Sequence, residues 1–344
     1  MSTLQIGLAI VGALVLVAVL AQGVWTVRKN RPRQASTEKS NAVSELPGGV
    51  EPELDVLAFD GAQFPLSALD KRPGLDALID SIASIVLESP VSGEAALAAL
   101  PGTRRVGSKP FSIEGFNAID QHWEMPLAGQ RYLTFQAGVQ LANRSGALNE
   151  IEYSEFVMKT QLFCDAINGT PDFPEMLEEV TRARELDQFA SEHDAQLGFV
   201  LRARSAAWSP GYVQQNAVRL GFAAGSTPGR LIVPASIAGT APMLVLSYDT
   251  HAALADDPAQ AAIREFVLSL DVAQVARTEN AYARMRAAAL SLAQSMEGVV
   301  TDDNGLPLLP AAMDAIGADL ERLYDTLDAH DLSAGSALAR RLFS

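Results

Sequence analysis

Residues Ile6 to Val27 form an unbroken uncharged run in which only Gln22 and Thr26 are polar. As a helix the run spans about 30 Å, the thickness of a bilayer's hydrocarbon core. It predicts a membrane span. A cleaved secretory signal would show basic residues before an apolar core of about 7–15 residues. Here nothing before Ile6 is basic. Arg28, Lys29, Arg31 and Arg33 follow the run directly, with Trp25 near the basic end. Basic residues flanking a span stay cytoplasmic, and Trp suits the interface. The expected topology is a single-pass anchor over 1–29 with a short outward N-terminus and a cytoplasmic body.

Charge limits what that body can bind. The chain carries 26 basic and 41 acidic residues, a formal net charge of −15. Four of the basic residues lie at the anchor's exit and no acid precedes Glu38. Beyond residue 34 this leaves 22 against 41, or −19. So acidic a body is a poor ligand for nucleic acid, which demands clustered Lys and Arg. The one cysteine, Cys164, forms no internal disulfide and reads as a small core residue.

Residues 30–55 are rich in Ser, Asn, Pro, Gly and Glu, including Pro47-Gly48-Gly49, and the linker is expected over 30–74. After it, strand and helix patterns alternate. Strands are expected at Ile82–Leu87, Arg105–Phe116, Arg131–Leu141 and Phe156–Phe163, with helices at Gly93–Leu100 and Phe173–Glu192. Further strands are expected at Leu197–Arg204, Arg230–Ala235, Met243–Thr250 and Phe266–Val272. Helices are expected from Ser209-Pro210 to Leu220, from Ala281 to Glu297 with Gly298 as its stop, and from Pro310 to Ala329. Residues 331–344 read as a flexible tail. Glu155-Phe156-Val157-Met158 and Glu265-Phe266-Val267-Leu268 suggest an internal repeat, with modules at 75–195 and 196–330. The predicted class is α/β (α+β): an N-terminal transmembrane helix, then two related modules of antiparallel sheet with helices on one face.

No phosphate-binding loop, nucleophile elbow or zinc-protease motif occurs. The four histidines, His122, His193, His251 and His330, are scattered, and Asp302-Asp303-Asn304-Gly305 reads as a turn. The expectation is a non-enzymatic protein without cofactor or metal. Strand alternation points instead to a binding face. Phe266, Leu268 and Leu270 should meet helices, while Val267, Ser269 and Asp271 face away. Phe199, Leu201 and Ala203 likewise alternate with Val200, Arg202 and Arg204. An uncovered sheet face with short apolar grip and a few polar guides suits a peptide.

Several motifs resemble the ZipA family of bacterial division proteins. They are Ile10-Val11-Gly12-Ala13 and Gly23-x-Trp25-Thr26-x-Arg28-Lys29 at the anchor, then Arg219-Leu220-Gly221-Phe222. The Pro242-led strand to Thr250, the strand ending Asp271-Val272, and Glu297-Gly298-Val299-Val300-Thr301-Asp302-Asp303 complete the set. The resemblance covers the anchor and Leu197 to about Leu327. It implies a protein of the inner membrane whose antiparallel sheet, covered by helices on one face, binds the C-terminal tail of FtsZ on the other. Carried over strand by strand, it implies cleft positions near Gly198, Val200, Arg230, Ile232, Tyr248, Thr250, Val267 and Ser269, and the outward parity of its strand adds Arg202 to this partner site. Tyr248 would be the aromatic anchor, and Arg202, Arg204 and Arg230 would steer an acidic peptide. The linker is shorter than that family's, residues 56–195 have no counterpart in it, and Arg230, Thr250 and Ser269 make this cleft more polar. Residues 75–195 would lack a cleft, with Lys159 and Gln161 as polar outward strand positions, and would serve as a spacer or meet other division proteins. The alternative is a membrane-anchored ligand- or peptide-sensing domain with no division role.

Overall fold

The computed structural model describes residues 33–34, 74–237, 239–255, 257 and 261–344. The expected span at 6–27 and most of the expected linker lie outside the described residues. Among these residues no helix is long and apolar enough to cross a membrane. The chain divides into two compact units, each drawn from two stretches of sequence. One joins Ser40–Asp194 to Ser336–Ser344 and is called the first module; the other joins Met1–Lys39 to Ala195–Gly335 and is called the second. The fold is mixed α/β with antiparallel sheets.

The first module contains β1 (Asp80–Ser92), α1 (Gly93–Ala99), β2 (Arg105–Val106), β3 (Lys109–Asn117), β4 (Trp123–Glu124), β5 (Arg131–Gln140), β6 (Ala142–Asn143) and β7 (Gly146–Ala147). These are followed by α2 (Glu150–Ile167), β8 (Gly169–Asp172) and α3 (Met176–His193). Its main sheet runs β2-β3-β5-β1-β8, with β4 on β3. Every recorded pairing in it is antiparallel. Ile85, Phe111, Ile113, Phe135 and Val139 turn inward from the strands and meet Tyr153, Phe156, Phe163 and Cys164 of α2. The rings pack edge to face, with Phe135 and Phe163 centroids 5.2 Å apart.

The expected strand at 156–163 is part of α2. Its buried residues Tyr153, Phe156, Thr160, Phe163, Cys164 and Ile167 recur at intervals of one, three and four, the helical spacing. Asn149 caps it reciprocally with Glu152, and Asn168 closes it in the left-handed conformation. Lys159 and Gln161 are therefore helix-surface residues. Lys159 pairs with Glu155 at 2.8 Å, and Gln161 donates to Asp165.

The second module contains β9 (Gln196–Ala203), α4 (Pro210–Val218), β10 (Ala223–Ala224), β11 (Arg230–Val233), β12 (Leu244–Ser247) and α5 (Thr250–Ala253). β13 (Glu265–Asp271), α6 (Ala281–Ser295), β14 (Gly298–Thr301) and α7 (Pro310–Ala329) complete it. The sheet order is β10-β11-β12-β13-β9-β14, again antiparallel throughout. Ser209 caps α4 through its hydroxyl, and Pro210 opens the first turn, as the sequence indicated. Gly298 differs from expectation. The left-handed residue after α6 is Glu297, at φ +52°. Gly298 begins β14, and an added Cβ there would lie 3.2 Å from the Trp208 ring. The glycine makes room for that buried indole, whose Nε1 donates to the Met296 carbonyl at 2.9 Å.

The two modules share an order of elements. In each, an opening strand (β1, β9) is followed by a helix (α1, α4), a hairpin (β2-β3, β11-β12) and a strand (β5, β13). A long helix (α2, α6), an edge strand (β8, β14) and a second long helix (α3, α7) then follow. The opening strand lies beside the edge strand in both sheets. The similar tetrapeptides at 155–158 and 265–268 are not equivalent within this order. One lies in α2 and the other in β13.

Residues 336–344 form no loose tail. Ser336 caps α8 (Ala337–Leu342), and Ala339, Leu342 and Phe343 are buried. Arg341 pairs with Asp80, whose side chain is wholly buried, and Gln140 donates to the Arg341 carbonyl at 2.8 Å. The apolar spacing of Ala339, Leu342 and Phe343 is helical, but six residues give a weak periodic signal.

Candidate functional site

Residues directly opposite each other on antiparallel strands project to the same side of a sheet. Pairing in the second module therefore sets out its two faces. Leu231, Val233, Leu244, Leu246, Phe199, Leu201, Phe266, Leu268 and Leu270 are buried. The alternate residues make the other face in three rows. The first runs Arg230, Ser247, Val267, Val200, Thr301. A second runs Ala223, Ile232, Val245, Ser269, Gly198. Glu265, Arg202 and Val299 form a third.

Ile232, Val245 and Val267 are partly exposed, and Val200 beside them is 7 % exposed. They form an apolar strip across β11, β12, β13 and β9, interrupted by Ser247 and Ser269. Gly198 leaves a dip at one end. A Cβ there would meet only Asp303 Oδ1 at 3.6 Å and Val267 Cγ1 at 3.8 Å. The rim beyond is the turn 302–305, closed by Gly305 N–H donating to the Asp302 carbonyl at 3.0 Å. Gly305 adopts φ +83°, and an added Cβ would strike the Arg202 guanidinium. Leu308 N–H donates to Val300 O, so the chain after this turn caps the β14 edge.

Seven of the nine expected partner-site residues share this face: Gly198, Val200, Arg202, Arg230, Ile232, Val267 and Ser269. Tyr248 and Thr250 do not. β12 ends at Ser247, and its outward residues are Val245 and Ser247. Tyr248 follows the parity of the buried Leu244 and Leu246. Its N–H closes the strand end on Gly229 O at 2.9 Å, and burial pushes its phenol up. Thr250 starts α5, with Asp249 as the cap accepting from His251 N–H. Asp249 was the available signal: an Asx cap here shortens the strand and moves the outward set to odd positions. Val245 and Ser247 lie on this face and Asp303 beside it, though none belongs to the expected set.

The charge pattern also differs from the expected basic cluster. Arg202 pairs with Glu265 at 3.0 Å, both partly exposed. Arg204 lies past the end of β9, exposed, its N–H donating to Glu297 O. Asp303 adds negative charge beside Gly198. Positive charge on the face is therefore concentrated at the Arg230 corner, where Arg230 is exposed opposite Ser247.

The corresponding face of the first module carries a polar row, Ser84, Gln136 and Glu114. Gln136 donates to Glu114 at 2.9 Å, and Glu114 accepts from Leu75 N–H at 3.0 Å. Leu75 lies on Gly138, where a Cβ would collide with it. Leu75 covers the Gly138 end of this face, while Ser84 and Val86 on the same face stay exposed. A cleft of ≈ 540 Å³ lies between α6 and α7, but it is spanned by Arg286–Asp314 and Arg277–Asp325 pairs. Among the described residues no group of three or more His, Cys, Asp or Glu is placed to hold a metal ion. Cys164 is buried, and burial pushes its thiol up to about 11, the wrong direction for a nucleophile. No protein-family model matches the chain, and no curated protein matches it.

Proposed function

We propose that this chain is a ZipA-like membrane tether that holds the C-terminal tail of FtsZ on the open sheet face of its second module. Residues 6–27 anchor it in the inner membrane with the body in the cytoplasm, and it works without catalysis. The observation that supports this best is the strip of partly exposed Ile232, Val245 and Val267, with buried Val200 at its end, on the sheet face opposite the buried Leu231, Leu246 and Leu268. Apolar side chains of the tail would lie along that strip, with Gly198 admitting close approach of backbone. Ser247 and Ser269 would supply polar guides, and Arg230 would meet an acidic residue. In this reading the first module is a duplicated copy of the same topology whose open face carries the polar row Ser84, Gln136 and Glu114 in place of the apolar strip. It serves as a spacer or meets a different division protein.

The test is a titration of the full chain, in lipid nanodiscs, with a fluorescent peptide of the FtsZ tail from the same bacterium. Saturable micromolar binding that Val267→Asp abolishes is the expected result. Absence of binding up to about 1 mM, an interaction weaker than about 4 kcal/mol, sinks the proposal.

A further inference from the structure

Arg33 is built into the second module. Its N–H donates to Ala207 O at 2.7 Å, its carbonyl accepts from Ser209 N–H at 2.9 Å, and it bridges Trp208. Its guanidinium pairs with Glu297. Trp208 is wholly buried and also bridges Ile263, so the attachment is to the rigid core rather than to a mobile loop. The apolar run ends at Val27. Six residues reach at most about 20 Å. If residues 6–27 span the membrane, this edge of the module is held within that distance of the lipid surface.

The same edge gathers positive charge. Ala203 N–H donates to Arg264 O, and Arg204 N–H donates to Glu297 O, which places Arg204 and Arg264 beside Arg33. Both side chains are exposed, and neither pairs with a carboxylate among the described residues. Glu297 pairs with Arg33, and Glu265 with Arg202. Arg204 and Arg264 thus put two exposed arginines at this edge of a body of net charge −19. In the sequence Arg28, Lys29 and Arg31 lie between the apolar run and Arg33 and carry three more positive charges. An anionic surface repels the rest of the body and attracts this edge, which fixes an orientation as well as a distance.

We infer that the edge of the second module formed by Arg33, Arg204 and Arg264 rests on anionic lipid headgroups. The inference depends on the proposed membrane span, and on nothing about FtsZ. It places this edge of the second module at the membrane surface.

The experiment uses the full chain in nanodiscs of phosphatidylcholine, with or without phosphatidylglycerol. Exposed Ala262, two residues before Arg264, is changed to Cys and labelled with a fluorophore; buried Cys164 does not compete for the label. Lipid carrying a headgroup nitroxide is the quencher. The expected result is strong quenching on phosphatidylglycerol discs, lost on raising salt. Each of Arg204→Gln and Arg264→Gln should lower the lipid-contacting population about fivefold. Equal quenching on phosphatidylcholine alone, unchanged in the double variant, would mean that the short tether sets the distance and the arginines bind no lipid. No quenching in a chain that resists alkaline extraction would place the edge away from the bilayer. Extraction of the chain by alkaline carbonate would instead overturn the membrane span, and the lipid contact with it.

Discussion

Replacing Arg341 with Met should unfold the first module selectively, and the cost should depend on pH. Asp80 is wholly buried, with one oxygen facing Arg341 and the other accepting from Asp76 N–H at 2.8 Å. Burial raises its carboxyl pKa despite the opposing effect of Arg341. Removing one member of such a pair strands a buried charge, at about 3–5 kcal/mol. The Arg341 side chain is 20 % exposed, which favours the lower end. A loss of about 3 kcal/mol accelerates exchange of the best-protected amides about a hundredfold. Met keeps most of the aliphatic stem, so the packing of Leu342 and Phe343 is retained. In the variant the native carboxyl holds its proton to a higher pH than the unfolded one, whose ordinary value is 3.8. The native state then binds more protons above that value, and the variant's stability falls as pH rises. The gap to the wild-type protein should therefore be widest at pH 8 and narrow toward pH 5, at most about 1.4 kcal/mol per pH unit. Segment-resolved hydrogen exchange separates the modules: β1 and β5 should lose protection while β9 and β13 keep it. Asp80→Asn combined with Arg341→Met should recover most of the loss, since neither charge is then stranded. Equal loss in β9 and β13, or a gap independent of pH, would refute this account of α8.

Three further outcomes follow from the same geometry. Val267→Asp should weaken FtsZ-tail binding at least tenfold, about 1.4 kcal/mol, whereas Tyr248→Ala should leave affinity within twofold; the reverse order in a peptide titration would show that the face is assigned wrongly. Because the Cys164 thiol is pushed up from 9.0 to about 11, the native state keeps a proton that the unfolded chain releases, and stability should fall as pH rises from 9 to 11. Urea titrations at pH 9 and 10 should show a fall that is smaller by about 1 kcal/mol in Cys164→Ala; the fall that remains comes from Tyr132 and Tyr153, pushed up from 10.0 to about 12, which contribute the same sign as pH nears 10. Gly93→Ala puts a Cβ onto the Leu127 carbonyl, so it should cost the first module about 1–3 kcal/mol or more in thermal melts, with no change in the second.

What could be read from the sequence depended on how local the signal was. α7 and α3 carry long amphipathic patterns, and α4 has Ser209-Pro210 at its start, so their placement needed no tertiary information. Strand alternation in β9 and β13 assigned the faces of Val200 and Val267 because Phe266, Leu268 and Leu270 leave one register open. β12 has no such constraint. Leu244-Val245-Leu246 is apolar at every position, and only pairing with Ser269 and Val267 of β13 decides which side faces out. α2 differs from the strand expected there because Glu155-Phe156-Val157-Met158 satisfies a strand pattern over four residues, while its Asn149–Glu152 capping box lies upstream. The shared element order was expected for the wrong reason: equivalence lies in sheet connectivity, not in the tetrapeptides that suggested it. The Arg202–Glu265 pair was equally illegible, because it joins residues that only strand pairing makes neighbours.

Threading has a consequence for the order in which the chain can finish folding during synthesis. The first module needs residues 336–344, which are translated after the whole of 195–335. Asp80 therefore waits for Arg341, and the surface that takes Leu342 and Phe343 stays open, until a segment made long after β5 arrives. Cutting the chain between the modules would separate residues 336–344 from the first module, whereas every described residue of the second module from Ala195 on lies in one continuous stretch.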